Sequence, residues 1–438
     1  MENKYAYEML ARLVAIQSVS TDPERKKHIL EAADLIKKEL VSIGFEVELH
    51  SVPDSHPLIV AKKIVSSSAP TLGIYAHYDV QPEDPIDKWS SPPFSVTKRG
   101  DKLYGRGVAD DKMHVVQSIT AARGLMKSQS LKNNLIFIFE GEEECESDHF
   151  EQIIRSAGDE INTDAFYVLD AGMKAKNVPQ IFYGLRGILT YELEIKIGET
   201  DLHSGVYGNR VANPAQIASQ LFAKIKDEKG KVQIPGFYDS VRDIPDSEIE
   251  LLSRYKTSPD QEKKNAKVIS LVGDFLQSKI KPSMDINGIS SGFTGTGFKT
   301  IIPSSAKVKF SFRLVENQDH DNVNRMVEKF IKDNLPDSVS YTLKSHGGAG
   351  PFYTDFNNPY AMKTAKILEE VFGHECYFNR SGGSIPAAEV LQRLFGKPII
   401  ITGFTLPDEN IHAPDENVDA DMFEKGIVAL QKIFSVSP

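Results

Sequence analysis

The sequence predicts an α/β domain interrupted by a smaller α+β domain. Three observations carry this expectation. Up to about residue 184, fully apolar strand candidates alternate with amphipathic helix candidates. From Gly184 the strands change character and alternate apolar with polar residues, the pattern of a sheet with one solvated face. After Gly347-Gly348 the first pattern returns. A chain of 438 residues also exceeds one ordinary core, so two domains are expected. The boundaries are 1–184 and 348–438 for the two parts of the larger domain, and 185–347 for the inserted one.

Residues 5–43 read as helix, with Tyr7, Leu10, Leu13 and Val14 on one face, then Ile29, Ala33, Ile36 and Leu40. Segments 45–50 and 59–64 read as strands, and 71–80 as a buried strand that runs into His77, Tyr78 and Asp79. Residues 82–95 are loop, because Pro82, Pro85, Pro92 and Pro93 break any period. A helix over 111–126 and a strand over 134–140 follow. In the insert, Leu189, Tyr191, Leu193, Ile195 and Ile197 mark one strand, and 214–226 a helix. Residues 227–282 are charged and irregular, with Pro235, Pro245 and Pro259. Strands at 284–289 and 306–313, a helix over 320–334 and a strand at 338–343 complete a β-α-β-β-α-β order, that of a ferredoxin-like module. The last part reads as helix 358–372, a Gly-rich turn, helix 387–395, strand 398–404 and a terminal helix.

Composition is ordinary for a globular protein, 40% hydrophobic and 26% charged. A formal net charge of -10 argues against a nucleic-acid partner and gives no reason to invoke a membrane surface. Two cysteines, Cys145 and Cys376, make no disulfide framework. The first residues are polar, with Glu2 and Glu8 and no signal-peptide core. No apolar run reaches the roughly 18 residues of a membrane span. A soluble, cytoplasmic protein is expected.

His77 and Asp79 stand two apart at a strand end, so their side chains share a face. Further acidic and imidazole residues fall at later strand ends. Asp110-Asp111 follows Gly105-Arg106-Gly107, Glu142-Glu143-Glu144 follows an apolar run, Asp170 follows Phe166-Tyr167-Val168-Leu169, and His412 follows the strand at 398–404. Singly, each has a plainer explanation: a surface histidine, a helix N-cap or a solvated acidic turn. Together they mark the carboxyl ends of strands, the edge at which open α/β sheets bind ligands. Two histidines and three carboxylates suit zinc, cobalt or manganese. One ion needs three or four protein ligands. Five, one able to bridge, suit two ions roughly 3.5 Å apart. Asp79 can orient the His77 imidazole. A spare glutamate in the acidic run can take a proton from water, so the run holds both a ligand and a base. Gly105-Arg106-Gly107 lacks the third glycine of a dinucleotide fingerprint, and no Gly-Lys-Ser/Thr phosphate loop occurs, which excludes nucleotide binding.

The stretches His77-Tyr78-Asp79, Tyr104-Gly105-Arg106-Gly107-Val108-Ala109-Asp110-Asp111-Lys112, Glu140-Gly141-Glu142-Glu143-Glu144, Asp170 and His412-Ala413-Pro414-Asp415-Glu416 resemble the co-catalytic metallopeptidases of the aminoacylase, carboxypeptidase G, desuccinylase and carnosinase group. Gly184-Leu185-Arg186-Gly187, the segment from Asp201 through His203 to Gly208, and Arg380-Ser381-Gly382-Gly383-Ser384-Ile385-Pro386 resemble the carnosinase-type dipeptidases more narrowly. The resemblance implies a three-layer metallopeptidase catalytic domain with an inserted lid that covers the site and makes a homodimer. It implies two divalent ions per subunit, zinc in first place with manganese or cobalt as alternatives. His77, Asp110 and Asp170 would hold metal, with Asp110 bridging, and Glu144 and His412 would hold the second ion. Glu143 would be the general base, with Gly141 anchoring the register through the acidic run. The Asp110-Asp111 peptide would be cis. His203 would reach the partner's site and stabilise the oxyanion. Arg313 would hold the substrate's terminal carboxylate with Gly382-Gly383-Ser384, and Asn287 and Arg380 are further substrate-side candidates. The implied activity is hydrolysis of the amide bond of dipeptides or short peptides with a free C-terminal carboxylate. The alternative is an N-acyl-amino-acid deacylase or desuccinylase with the same metal site. Asn358 stands where related dipeptidases tend to have histidine, which weakens a carnosine-type specificity.

Overall fold

The apolar run Leu135–Phe139 has no polar face, so the strand that contains it must be covered on both sides. Strand Asn134–Glu140 is buried throughout, as is nearly all of Thr71–His77. The computed structural model describes residues 2–436 and divides into two units. The larger comprises Met1–Tyr183, Thr354–Asn379 and Ile385–Pro438, and the smaller Gly184–Tyr353 with Arg380–Ser384. The expected return at 348 therefore falls later. The edge strand Ser340–Ala349 runs on through Gly347-Gly348 with a shift in register, and Phe352–Tyr353 pairs with Gly184 and Leu185. Among the described residues no helix is long and apolar enough to cross a membrane.

The larger unit is built on a mixed sheet in the order Glu46–His50, Leu58–Lys63, Asn134–Glu140, Thr71–His77, Ala165–Val168, Ile399–Ile401 and Gln180–Leu185. The four strands from Asn134–Glu140 to Ile399–Ile401 are parallel, and His77 lies opposite Glu140 in register. Their carboxyl ends therefore open on one edge. Successive side chains of a strand point to opposite faces. Phe166 meets Phe395 of helix Pro386–Phe395, while the adjacent Tyr167 meets Thr364 of helix Pro359–Phe372. Helices thus cover both faces, in three layers. Helix Lys112–Lys127 packs against Glu2–Val14 and Ala420–Ser435.

One continuous helix over 5–43 is not formed. Helices Glu2–Val14 and Lys26–Ser42 are separated by a segment that turns onto the end of the His77 strand. There Val19 bridges Val80, Val80 N donates to Ser18 O at 2.9 Å, and Ser18 Oγ donates to Tyr78 O at 2.7 Å. Tertiary pairing outweighs helical continuation at that point.

The smaller unit has a four-stranded antiparallel sheet in the order Ser283–Ser291, Ser305–Leu314, Gly187–Lys196 and Ser340–Ala349. With helices Pro214–Ile225 and His320–Asn334 this is the expected ferredoxin-like order. Burial alternates strictly along Gly187–Lys196, so one face is packed and the other solvated. Residues 227–282 are not merely irregular. They hold the short helices Asp246–Ser253, Pro259–Ala266 and Gln277–Ile280. Pro259 is a helix start there, since a first-turn proline loses no hydrogen bond.

Gly73 shows how tightly the central sheet is packed. A Cβ at this position would stand 2.5 Å from the Phe166 ring. Gly73→Ala must shift an aromatic side chain in a close-packed core. We expect about 1–3 kcal/mol of destabilisation, read as a lower denaturant midpoint with an unchanged slope.

Candidate metal centre

Each acidic or imidazole residue at the carboxyl edge is delivered by its own strand or turn. His77 is the last residue of Thr71–His77 and is fully buried. Its Nε2 lies 3.0 Å from Asp110 Oδ1 and 3.9 Å from Asp170 Oδ1. Its Nδ1 lies 3.1 Å from Asp79 O and 3.4 Å from Asp79 Oδ1. The Asp79 carboxylate also accepts from Glu143 N at 3.3 Å and Glu144 N at 3.0 Å. Asp79 thus fixes both the imidazole and the acidic turn.

On the other side of Asp110, Oδ2 lies 2.9 Å from His412 Nε2, which stands 3.3 Å from Glu144 Oε2. Gln81 Nε2 donates to Glu144 Oε2 at 2.8 Å. Gly141 sets the start of this turn: a Cβ there would stand 2.5 Å from the Tyr78 hydroxyl. The Asp110-Asp111 peptide is cis.

Two groups of side chains could therefore each hold a cation: His77, Asp110 and Asp170, and Asp110, Glu144 and His412, with the ligand atoms of each group within 4.8 Å of one another. Asp110 belongs to both. Its two oxygens face different imidazoles, the arrangement of a bridging carboxylate. The electrostatics fit the same occupant. Burial opposes the charged form of Asp110, but hydrogen bonds from His412 and His77 outweigh it and hold its carboxyl well below the usual range. Burial and the neighbouring carboxylates push Asp170 up to about 7, and burial with Asp170 and Glu144 pushes Glu143 well up. Glu144 Oε1 is buried without a hydrogen-bond partner. A cluster with more carboxylate than its own cations can offset, one orphaned carboxylate oxygen and a shared aspartate suits two divalent cations.

The remaining predicted site residues lie in the smaller unit. His203 is exposed on a two-residue strand paired with Ile301–Ile302, and its Nδ1 accepts from Gly205 N at 3.0 Å. A neutral ring so bonded carries its proton on Nε2. Arg313, on Ser305–Leu314, faces Ser283 and Ile188 in register. It lies close enough to Arg186 that, with burial, it helps push that guanidinium down to about 10. Asn287 is exposed where the register of its strand shifts. Gly383 is exposed and Ser384 half-buried. Arg380 differs from expectation: its guanidinium is buried against Glu316 and Glu248, so it is not presented to a substrate.

Sequence reasoning assigned no role to Glu416, Gln81, Asp111 or His114. Glu416 accepts from Arg106 Nη1 at 2.7 Å, Gly107 N and Ala109 N at 2.9 Å, and Asp110 N at 3.1 Å. Its place in the run after His412 was the only available signal.

In the metal-free protein, hydrogen bonds that the His412 imidazolium donates to Asp110 and Glu144 raise it to about 10, and burial raises Asp170 to about 7. Both are protonated below pH 7, His412 stays so up to about 10, and against burial Asp110 and Asp79 hold His77 well above the usual histidine range as well. A cation must displace these protons. Affinity should therefore rise with pH, by roughly tenfold per unit for each proton released, and more steeply below neutrality than above it. Zinc titration of chelator-stripped protein between about pH 6 and 8 checks this; a flat affinity would contradict it.

Residues 73–435 match the peptidase family M20/M25/M40. The Cys-Gly metallodipeptidase of Schizosaccharomyces pombe is 28% identical over 98% of this chain and 95% of its own length. The human Beta-Ala-His dipeptidase is 28% identical over 94% of this chain and 85% of its own length. The solved M20 family metallo-carboxypeptidase Sso-CP2 from Sulfolobus solfataricus has a TM-score of 0.88 at 29% identity and covers 98% of each chain.

Proposed function

We propose that this chain, which belongs to peptidase family M20/M25/M40, hydrolyses the amide bond of dipeptides or short peptides that end in a free carboxylate. The observation that carries this reading is Asp110, shared by the His77–Asp170 and Glu144–His412 groups. Two divalent cations, with zinc preferred over manganese or cobalt, would be held by those five residues. When bound, they polarise the scissile carbonyl and make water more acidic.

The chain's own residues supply the rest. Glu143 takes a proton from the attacking water and gives it to the leaving amine. Its backbone is tied to Asp79, which keeps the base in register with His77. His203, with Nε2–H free to donate, stabilises the oxyanion in the partner's site of a homodimer. Arg313 offers the substrate carboxylate a planar pair of donors, and Gly383 and Ser384 are further residues for the same carboxylate. The neighbouring Arg186 adds positive potential. Asn287 is a further substrate-side residue. We place the enzyme in the cytoplasm on its two free cysteines, Cys145 and Cys376.

The acidic run is separable by mutation. Glu143→Gln should lower turnover by roughly 10²-fold or more with both metals retained, whereas Glu144→Gln should lose one metal. Steady-state kinetics with elemental analysis reads both, and exchanged phenotypes would move the base by one residue.

A substrate panel tests the reading as a whole. Free-acid dipeptides should be cut much faster than the same dipeptide amides, and Arg313→Lys should erase most of that difference. Equal hydrolysis of acid and amide would remove the carboxylate clamp. Activity confined to N-acetyl or N-succinyl amino acids would make the enzyme a deacylase.

A further inference from the structure

Arg380 opens a five-residue segment that belongs to the smaller unit, although the chain on either side of it belongs to the larger one. The segment carries the Gly382-Gly383-Ser384 turn. Its side chain is only 3% exposed. Nη2 is hydrogen-bonded to Glu316, and Nη1 lies 3.6 Å from Glu248 Oε1. Arg242 meets the same two carboxylates, at 2.7 Å from Glu248 and 3.0 Å from Glu316. The Tyr353 ring lies 4.5 Å from the Arg242 guanidinium and 5.7 Å from that of Arg380. Gly184 completes the fit, since a Cβ there would stand 2.7 Å from Arg380 Nε. Two guanidiniums and two carboxylates balance in charge.

A buried ion group of this kind adds little net stability over an apolar filling, because desolvation offsets attraction. What it confers is a single geometry. The planar fork of arginine bonds Glu316 through Nη2 while its Nη1 faces Glu248 as an ion pair, which is possible only in one orientation, and that orientation sets where the backbone of residue 380 leaves for the turn. Within the turn, Gly383 N donates to Ser381 Oγ at 3.1 Å. Arg242 and Glu248 both come from the charged segment 227–282, which thereby acquires a task.

We propose that Arg380 is a positioning residue: it ties the Gly382-Gly383-Ser384 turn to the smaller unit, through a socket built by Glu316, Glu248, Arg242 and Gly184, so that the turn and Arg313 are presented to the substrate carboxylate by the same unit. The proposal rests on the carboxylate-clamp reading above. It explains the Gly184-Leu185-Arg186-Gly187 and Arg380–Pro386 stretches as two sides of one contact.

The test uses the metal-loaded enzyme carrying Arg380→Gln. Three quantities are read: amide hydrogen exchange of residues 381–384 without substrate, kcat and KM for a free-acid dipeptide and its amide, and metal content. Exchange in the turn should rise roughly tenfold or more. Metal content should not change. KM for the free acid should rise by about tenfold while the amide is little affected, so the preference for acid falls. Arg380→Lys should recover part of it, having charge without the fork. If Arg380→Gln does not fold, Glu248→Gln removes the longer of the two contacts and should give the same changes at smaller size. Unchanged exchange in the turn overturns the proposal, as does a loss that affects acid and amide alike. Should the unmutated enzyme show no preference for the acid, the clamp reading fails, and the exchange measurement alone then judges whether Arg380 holds the turn.

Discussion

Glu416 fixes the one carboxylate that two imidazoles share. Buried completely, it gathers an arginine and the amides of Gly107, Ala109 and Asp110 itself. Without that acceptor the loop from Gly105 to Asp110 would leave buried N–H groups unmet, which is costly. Asp110 could not then stand between His77 and His412. The same contact closes the larger unit on itself. Strand Asn417–Asp419 pairs with Lys102–Tyr104, and Gly105 N donates to Glu416 O at 3.0 Å. An inserted unit of some 170 residues is tolerated because the two parts of the larger unit are sewn together at the site, far from the insertion points in sequence.

The sheet edge explains why such a crowded charge is stable at all. His77 and Glu140 are level in register, and Tyr75 O–H donates to Glu140 Oε2 at 2.5 Å. Burial pushes Glu140 up to about 8 even though the Tyr75 bond favours its carboxylate, so at neutral pH it is mostly uncharged. The remaining acids, Asp110, Glu143, Glu144 and Asp170, crowd together at the carboxyl edge of the sheet. Their mutual repulsion in a low dielectric is what a divalent cation relieves. Burial that is unfavourable in the metal-free chain would thus favour a bound cation.

Much of this was legible in the sequence. Apolar runs and period-two alternation separated the buried sheet from the half-solvated one, and the strand-end rule brought together His77, Asp110, Asp170 and His412 from four segments. The break between Glu2–Val14 and Lys26–Ser42 was not legible, because Val19 is drawn out by pairing with Val80, a contact 61 positions away. The short strands at Thr97–Arg99, Lys102–Tyr104 and Asn417–Asp419 were missed for a similar reason: three-residue ladders carry no period. Arg380 was a substrate-side candidate only through the family resemblance of the stretch from Arg380 to Pro386. Its partners, Glu316 and Glu248, lie in parts of the chain that no local pattern connects to it.

The adjacent aspartates 110 and 111 show why residue type alone does not assign a ligand. Asp111 turns inward: Oδ2 accepts from His77 N at 3.0 Å, and Oδ1 is bonded to His114 Nδ1. His114 Nε2 in turn accepts from Phe404 N at 3.0 Å. Burial pushes this imidazole down to about 4, so it is neutral, and with Nε2 accepting, its proton must sit on Nδ1 against Asp111. Both ring nitrogens are thereby used, and His114, one turn into helix Lys112–Lys127 and close to the metal centre, has none left for a cation. Its work is mechanical. The chain Phe404, His114, Asp111, His77 links the ends of two strands to the start of a helix. That link holds the backbone of His77 still while its side chain answers to Asp79 and Asp110. A histidine beside the centre with both nitrogens occupied by the protein is therefore part of the frame, and the candidate ligands are those imidazoles with a nitrogen facing the shared carboxylate.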